Sequence, residues 1–256
     1  MNQKGGTGKT TTSVTLAAGL AAKGHRVLLV DMDSQGNVGA SLGVRGEKSI
    51  YHVLIDSIPP QEASVPVRPG LDVITSDETV AAAEIRLVNM KRRERLLRQR
   101  LEGLGDYDYV VLDCAPSLSI VNQNALTFAE SVLIPVSCDF LAMYGVKQIL
   151  RTIRYVREQL MHPIEILGVL PTFYDPRARI THDVVASLKD YFKDQMFQPI
   201  RANSKLKEAP SYRKTIFEYD PKCPSALDYQ ALVDSVVERL RSRNENPRPQ
   251  AAGATA

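Results

Sequence analysis

Along this chain, short apolar runs alternate with longer segments in which apolar residues return every third or fourth position. Residues 27–30, 71–75, 109–113, 131–136 and 164–171 predict strands, and about 79–104, 119–130, 143–161 and 181–192 predict helices. A run as uniformly apolar as 27–30 suits a strand covered on both faces, as in a parallel sheet. Strands alternating with helices predict an α/β fold, a mostly parallel twisted sheet with right-handed crossovers and helices on both faces. A first helix is predicted over 10–23, with Val14, Leu16, Ala17, Leu20 and Ala21 on one broad face and Gly24 as its stop. A last helix carries Leu227, Leu232, Val233, Val236, Val237 and Leu240, interspersed with Asp228, Asp234 and Glu238, and predicts packing on a core. There is no internal repeat and no linker, so one domain is expected over 1–242. The polar, proline-containing tail 243–256 predicts disorder.

Composition narrows the class. A chain of 256 residues can bury one large core. No run of ~18 apolar residues predicts a membrane-spanning helix, and no secretory leader is expected. Cys114, Cys138 and Cys223 have no paired spacing, which points to a reducing cytoplasmic setting. His25, His52, His162 and His182 form no metal pattern. The net charge is only +3, so affinity for nucleic acid would have to come from a local patch.

The chemistry begins at the chain start. Lys4, Gly5, Gly6, Thr7, Gly8, Lys9 and Thr10 nearly match the phosphate-loop pattern G-x-x-x-x-G-K-[ST], with Gln3 in place of the first glycine. Glycines let successive backbone N–H groups turn inward around phosphate oxygens, and the following helix adds positive partial charge. Lys9 would reach the β- and γ-phosphates, and the Thr10 hydroxyl would ligate Mg²⁺. The strand at 27–30 leads into Asp31 and Asp33, and ligands in such sheets sit at the carboxyl ends of strands. One of these carboxylates could orient or deprotonate an attacking water. The strand at 109–113 ends in Asp113, whose carboxylate would hold Mg²⁺ through water. A strand normally feeds such a loop and needs ~5–6 residues. Only Met1 and Asn2 precede Gln3, so that strand is expected upstream of this sequence.

The stretch KGGTGKT resembles the deviant Walker A loop of the ParA/MinD superfamily. VDMDSQGN (30–37), LDCAPSLS (112–119) and LKEAPSYRKTIFEYDP (206–221) resemble the small ParA/Soj-type partition ATPases, and the likeness runs from Asn2 to about Leu240. The resemblance implies a catalytic set of Lys4, Lys9 and Asp33, with Lys4 reaching across a dimer to the partner's nucleotide and Asp31 supporting Asp33. It implies nucleotide contacts from Lys4 through Thr11 (Gly5, Gly6, Thr7, Gly8, Lys9 and Thr10 between them), and a metal set of Thr10, Asp33 and Asp113. Adenine is expected between 170–174 and 200–203, touching Thr172, Arg201 and Asn203. Arg201 stands where the family usually has a proline, and Ala115 precedes Pro116 where two prolines are usual.

The implied cycle uses ATP and Mg²⁺. ATP closes a sandwich homodimer, the dimer binds DNA without sequence preference, and a ParB-like centromere-binding protein triggers hydrolysis, driving chromosome or plasmid partition. The expected location is cytoplasmic and nucleoid-associated, with no membrane. The candidate DNA surface is 201–222, where Arg201, Lys205, Lys207, Arg213, Lys214 and Lys222 face Glu208, Glu218 and Asp220, with Tyr212 and Tyr219 interleaved. A second cluster, KRRERLLRQR (91–100), predicts a solvated amphipathic helix face. Other branches stay open: a ParA-like ATPase that positions a protein cluster or microcompartment, and a MinD-like membrane ATPase, which would need a basic amphipathic C-terminal helix. An iron–sulfur reductase would need two cluster cysteines, and Cys114 and Cys138 do not stand at the places expected for them.

Overall fold

Every side chain of Val27–Asp31 is buried, so this run lies in the middle of a sheet with packing on both faces. The computed structural model describes residues 5–245. In chain order its elements are α1 (Lys9–Ala22), β1 (Val27–Asp31), α2 (Asn37–Leu42), α3 (Pro60–Ala63), β2 (Ser64–Arg68), β3 (Leu71–Ile74), α4 (Thr79–Leu87), α5 (Leu96–Arg100) and β4 (Tyr109–Asp113). They continue with α6 (Ile120–Phe128), β5 (Ser131–Ser137), α7 (Ala142–Glu158), β6 (Glu165–Thr172), α8 (Arg179–Phe192), α9 (Lys205–Glu208), α10 (Ile216–Tyr219) and α11 (Pro224–Glu245).

Strand β1 is parallel to β3 on one side and to β4 on the other, and β2 closes the edge antiparallel to β3. Strands β5 and β6 form a second parallel pair. The sequence pattern misses β2, and the reason is visible in SVPVR. The strand is half-exposed, and Pro66 sits beside a register shift at the sheet edge, where a missing N–H is tolerated. Between β4 and β5 lies a mostly apolar cavity of about 160 Å³, bordered by Leu16 and Leu20 of α1, Leu126 of α6 and Val236 of α11. The strand expected to feed the phosphate loop falls outside the described residues.

Alternate residues of β1 enter different cores. Leu28 and Val30 pack with Ile134, Val136 and Ile149, while Val27 and Leu29 pack with Leu20, Leu170 and Val233. Burying such side chains contributes roughly 1.5–3 kcal/mol each. Helix α1 approaches α11 closely at Gly19, where a Cβ would lie 2.4 Å from Val233 Cγ2. Leu232, Val233 and Val236 of α11 are buried as expected, whereas Leu227 is exposed. The helix runs to Glu245, past residue 242.

The single helix expected over 79–104 is instead broken. Helix α4 stops at Leu87, Arg92 takes φ +53°, and a 3₁₀ turn at Arg93–Arg95 leads into α5. The cause is tertiary. Asn124 accepts the Leu97 N–H at 2.9 Å and donates to the Arg93 carbonyl at 2.6 Å, so a distant side chain supplies bonds that a continuous helix would make internally. The basic cluster is therefore not one solvated helix face, although Leu96, Leu97 and Leu101 do turn inward.

Candidate nucleotide site

The glycine loop ends where α1 begins. Gly6 and Gly8 take φ +72° and +81°, a region open to glycine at little cost. Among the described residues no side chain caps α1, so its first-turn N–H groups are available to an anion. Thr172 donates its hydroxyl hydrogen to the Thr7 carbonyl at 3.0 Å and ties the loop to the end of β6. The Thr7 Oγ1 is buried with no hydrogen-bond partner among the described residues. An orphaned hydroxyl in a loop with open N–H groups fits a ligand rich in acceptor oxygens.

Three carboxylates stand at the carboxyl ends of β1 and β4. Asp113 is 1% exposed and accepts the Ser13 hydroxyl at 3.0 Å and a bond from Thr10. Burial pushes its carboxyl up, opposed by those two hydroxyls. Asp31 is fully buried; its Oδ1 accepts the Asp33 N–H at 3.0 Å and its Oδ2 the Val38 N–H at 3.1 Å. Burial pushes it up to about 7 against those two bonds. It therefore fixes the backbone that carries Asp33 into the loop. Asp33 is half-exposed and accepts the Gln35 N–H at 3.1 Å. Burial lowers the Lys9 ammonium below its ordinary value, with Asp113 and then Asp33 opposing that shift. The predicted residues Gly5 through Thr11, Asp33 and Asp113 are thus brought to one corner. Lys4 lies outside the described residues.

Magnesium prefers few protein ligands and shares its shell with phosphates and water. Among the described residues no group of three or more His, Cys, Asp or Glu is placed to hold a metal. Asp113 beside the Thr10 and Ser13 hydroxyls offers the sparse donor set that suits a phosphate-bound Mg²⁺.

The two loops expected to flank adenine lie side by side. Tyr174 donates its N–H to Ile200 O at 3.0 Å, and Ala202 donates its N–H to Tyr174 O at 2.9 Å. A cavity of about 380 Å³ lies here, bordered by Gly8, Thr11, Thr172, Phe173, Asn203 and Tyr229. Arg201 also borders it, but its guanidinium is held by Asp228, with Nη2 2.6 Å from Oδ1. Tyr229 is absent from the sequence reading, Phe173 enters it only inside the range 170–174, and Asp228 only as a polar position of the last helix. Phe173 takes φ +54°, which no local pattern announces, and the other two sit within an ordinary amphipathic helix.

The amino-acid sequence matches the family model described as AAA domain over residues 1–166. It also matches the model for 4Fe-4S iron sulfur cluster binding proteins of the NifH/frxC family over residues 97–252. It is 41% identical over 250 residues to the chromosome partitioning protein ParA of Caulobacter vibrioides (strain NA1000 / CB15N), covering 94% of each chain. The sporulation initiation inhibitor protein Soj of Bacillus subtilis (strain 168) is 42% identical over 241 residues, covering 92% of this chain and 95% of that protein. The chain belongs to the ParA/Soj family of partition ATPases. A solved structure of cobyrinic acid a,c-diamide synthase from Mycobacterium smegmatis, with bound ATP analog and magnesium, superposes with TM-score 0.81 at 34% identity, covering 99% of this chain and 97% of that one. The molecule is an ATPase, and its nucleotide is ATP with Mg²⁺.

An iron–sulfur cluster does not fit these cysteines. Cys114, Cys138 and Cys223 are all buried, and among the described residues no three His, Cys, Asp or Glu side chains come together to hold one.

The basic segment divides. Arg201 pairs with Asp228, and Lys205 pairs with Glu208 at 3.0 Å. Lys207, Arg213, Lys214 and Lys222 are exposed, and no ion pair joins them to a carboxylate among the described residues. Glu218 is drawn off by Arg68 at 2.7 Å. Tyr212 and Tyr219 stack on each other at 5.2 Å rather than standing apart.

Proposed function

We propose that two copies of this chain close around two ATP molecules, that the closed dimer binds DNA without sequence preference, and that a centromere-binding partner of the ParB kind triggers hydrolysis and release. The observation that carries dimerisation is apolar exposure beside the nucleotide corner. Leu118 follows β4, and Phe140, Leu141 and Tyr144 follow β5, with Phe140 87% and Tyr144 64% exposed. Large apolar groups left bare around a ligand site mark a surface that a partner covers. Around Gly5 and Gly6 an added Cβ would meet nothing within 4 Å, which leaves the loop open on its outer side.

In this reading Lys9 and the α1 N-terminus bind the triphosphate, and Thr10 and Asp113 hold Mg²⁺, which neutralises phosphate charge. Asp33 orients the attacking water, and Asp31 holds Asp33 in place. Lys4 is assigned to the partner's nucleotide by the family resemblance. The DNA surface is Lys207, Arg213, Lys214 and Lys222, doubled in the dimer, and the work is chromosome or plasmid partition in the cytoplasm at the nucleoid. Sedimentation with ATP, ADP or no nucleotide, with and without random-sequence DNA at two salt concentrations, tests the whole cycle. Dimers and DNA binding are expected with ATP alone. A monomer under saturating ATP and Mg²⁺ with hydrolysis blocked would overturn the reading.

A further inference from the structure

The loop over 200–203 is held from two sides. On one side lies the short ladder to Tyr174, with a further bond from Ile200 N–H to Pro171 O at 2.8 Å. On the other side stands Asp228 of α11, whose side chain is only 14% exposed. Its Oδ2 accepts the Arg201 backbone N–H at 2.9 Å and Nε at 2.9 Å, while its Oδ1 accepts Nη2 at 2.6 Å. The same Nη2 donates to the Pro224 carbonyl at 3.1 Å. One carboxylate thus grips the backbone and the side chain of a single residue, in the fork geometry that makes arginine pairs both strong and directional.

The next residue, Tyr229, is a wall of the base cavity, and its hydroxyl lies 3.0 Å from Thr12 Oγ1 in α1. Neighbouring positions on one helix therefore fix the base loop and brace the helix that carries the phosphate loop. Within the loop, Asn203 accepts the Lys205 N–H on its Oδ1 at 2.9 Å. That bond fixes which end of the amide is oxygen, and with a second lone pair still free on Oδ1 the side chain can offer a ligand an acceptor beside its NH₂ donor. The ordered pair suits adenine, whose N6–H₂ donates beside the bare N1, and opposes guanine, whose O6 and N1–H carry the reverse polarity.

We propose that Asp228 is a positioning residue for base selection: by clamping Arg201 it holds the loop so that Asn203 presents this ordered pair to adenine and turns guanine away. The inference rests on this cavity receiving the base of the ATP that the proposed cycle uses. Sites built around a hydrogen-bonding edge discriminate far more sharply than apolar pockets do, because a mismatched partner leaves buried polar groups unpaired. A loop freed by one lost clamp keeps its place on the Tyr174 ladder but loses its fixed register, so selection suffers before binding does.

The test is titration of fluorescently labelled ATP and GTP into the full chain, its Asp228→Asn and Arg201→Ala variants, the double variant, and Lys9→Ala. The wild-type chain prefers ATP, and each single variant lowers the ATP-to-GTP affinity ratio by about tenfold or more. The double variant is no worse than the singles, since both break one clamp. Asp228→Glu, which keeps the charge and displaces the carboxylate, serves if Asp228→Asn fails to melt cooperatively, and it too lowers the ratio. A ratio unchanged within about twofold, or equal losses for both nucleotides, overturns the proposal and leaves Asp228 a merely structural residue. Nucleotide binding that survives Lys9→Ala would instead overturn the underlying site.

Discussion

Two regions carry most of this chain's predicted function, and the structure treats them differently. At the phosphate corner, residues far apart in sequence converge: Thr7 meets Thr172, and Ser13 meets Asp113. In the basic segment over 201–222, charges the sequence counts as available are partly consumed inside the chain. Arg201 goes to Asp228 and Lys205 to Glu208, and Tyr219 donates its hydroxyl to the same Glu208 at 2.8 Å. The difference lies in what each pattern encodes. A glycine-spaced loop followed by a helix specifies a backbone shape, and the shape fixes where the charge goes. A tally of lysines and arginines specifies only composition, and any nearby carboxylate can claim them.

The sharpest way to break the corner is Lys9→Ala. The lysine is partly buried among carboxylates, and its ammonium would answer phosphate charge there. Truncating one member of a buried charge pair costs roughly 2–5 kcal/mol or more. ATP affinity measured by calorimetry is expected to fall at least about a hundredfold. Next comes Asp33→Ala, which leaves ATP bound and slows hydrolysis about 10²–10⁴-fold, the range for losing a positioned acid–base group. Phosphate release in a single turnover reports it. Equal loss of binding and turnover would remove Asp33 from the water-orienting role.

How far each region is legible follows from the same contrast. The strand at Tyr109–Asp113 and the strand ending at Asp31 can be read because an apolar run that stops at a carboxylate is a local signal. The two loops proposed for the base are named by family resemblance, but not the turn at Phe173, whose φ of +54° is imposed by its surroundings. The break after α4 escapes because its cause, Asn124, lies about thirty residues downstream. Asp228 escapes because an acidic residue on a helix looks solvated until Arg201 is seen beside it.

The basic segment can be dissected by salt. Neutralising Lys207, Arg213, Lys214 or Lys222 singly to Gln is expected to reduce the log–log salt slope of DNA binding by ~0.9 for each DNA phosphate that the variant leaves unneutralised. Lys205→Gln is expected to change it by much less, because Glu208, whose carboxyl is held down to about 2 by Lys205 and then by Ser204 and Tyr219, already neutralises that charge. Fluorescence anisotropy across a salt series measures both. A full unit of slope removed by Lys205→Gln would show that DNA breaks the internal pair and that the composition count had been right.

The smallest effect expected is close to none, and it guards the corner against its rival chemistry. Burial raises the Cys138 thiol from its ordinary value of 9.0 to about 12, with Asp139 acting in the same direction. A thiol raised by folding keeps its proton where the unfolded chain has lost it. Its contribution to stability is therefore intact below about pH 9 and is lost as pH rises from there toward 12. At pH 8 the native chain should show no fast-reacting thiol, and labelling by a disulfide reagent should follow the opening of the fold, while the denatured chain reacts at once. Rapid native labelling of Cys114, or colour gained on incubation with iron and sulfide, would mean that a thiolate is exposed beside the phosphate corner. The corner would then have to be reconsidered as a cluster site, since a thiolate that binds iron cannot also be the inert neighbour that leaves Asp113 to magnesium.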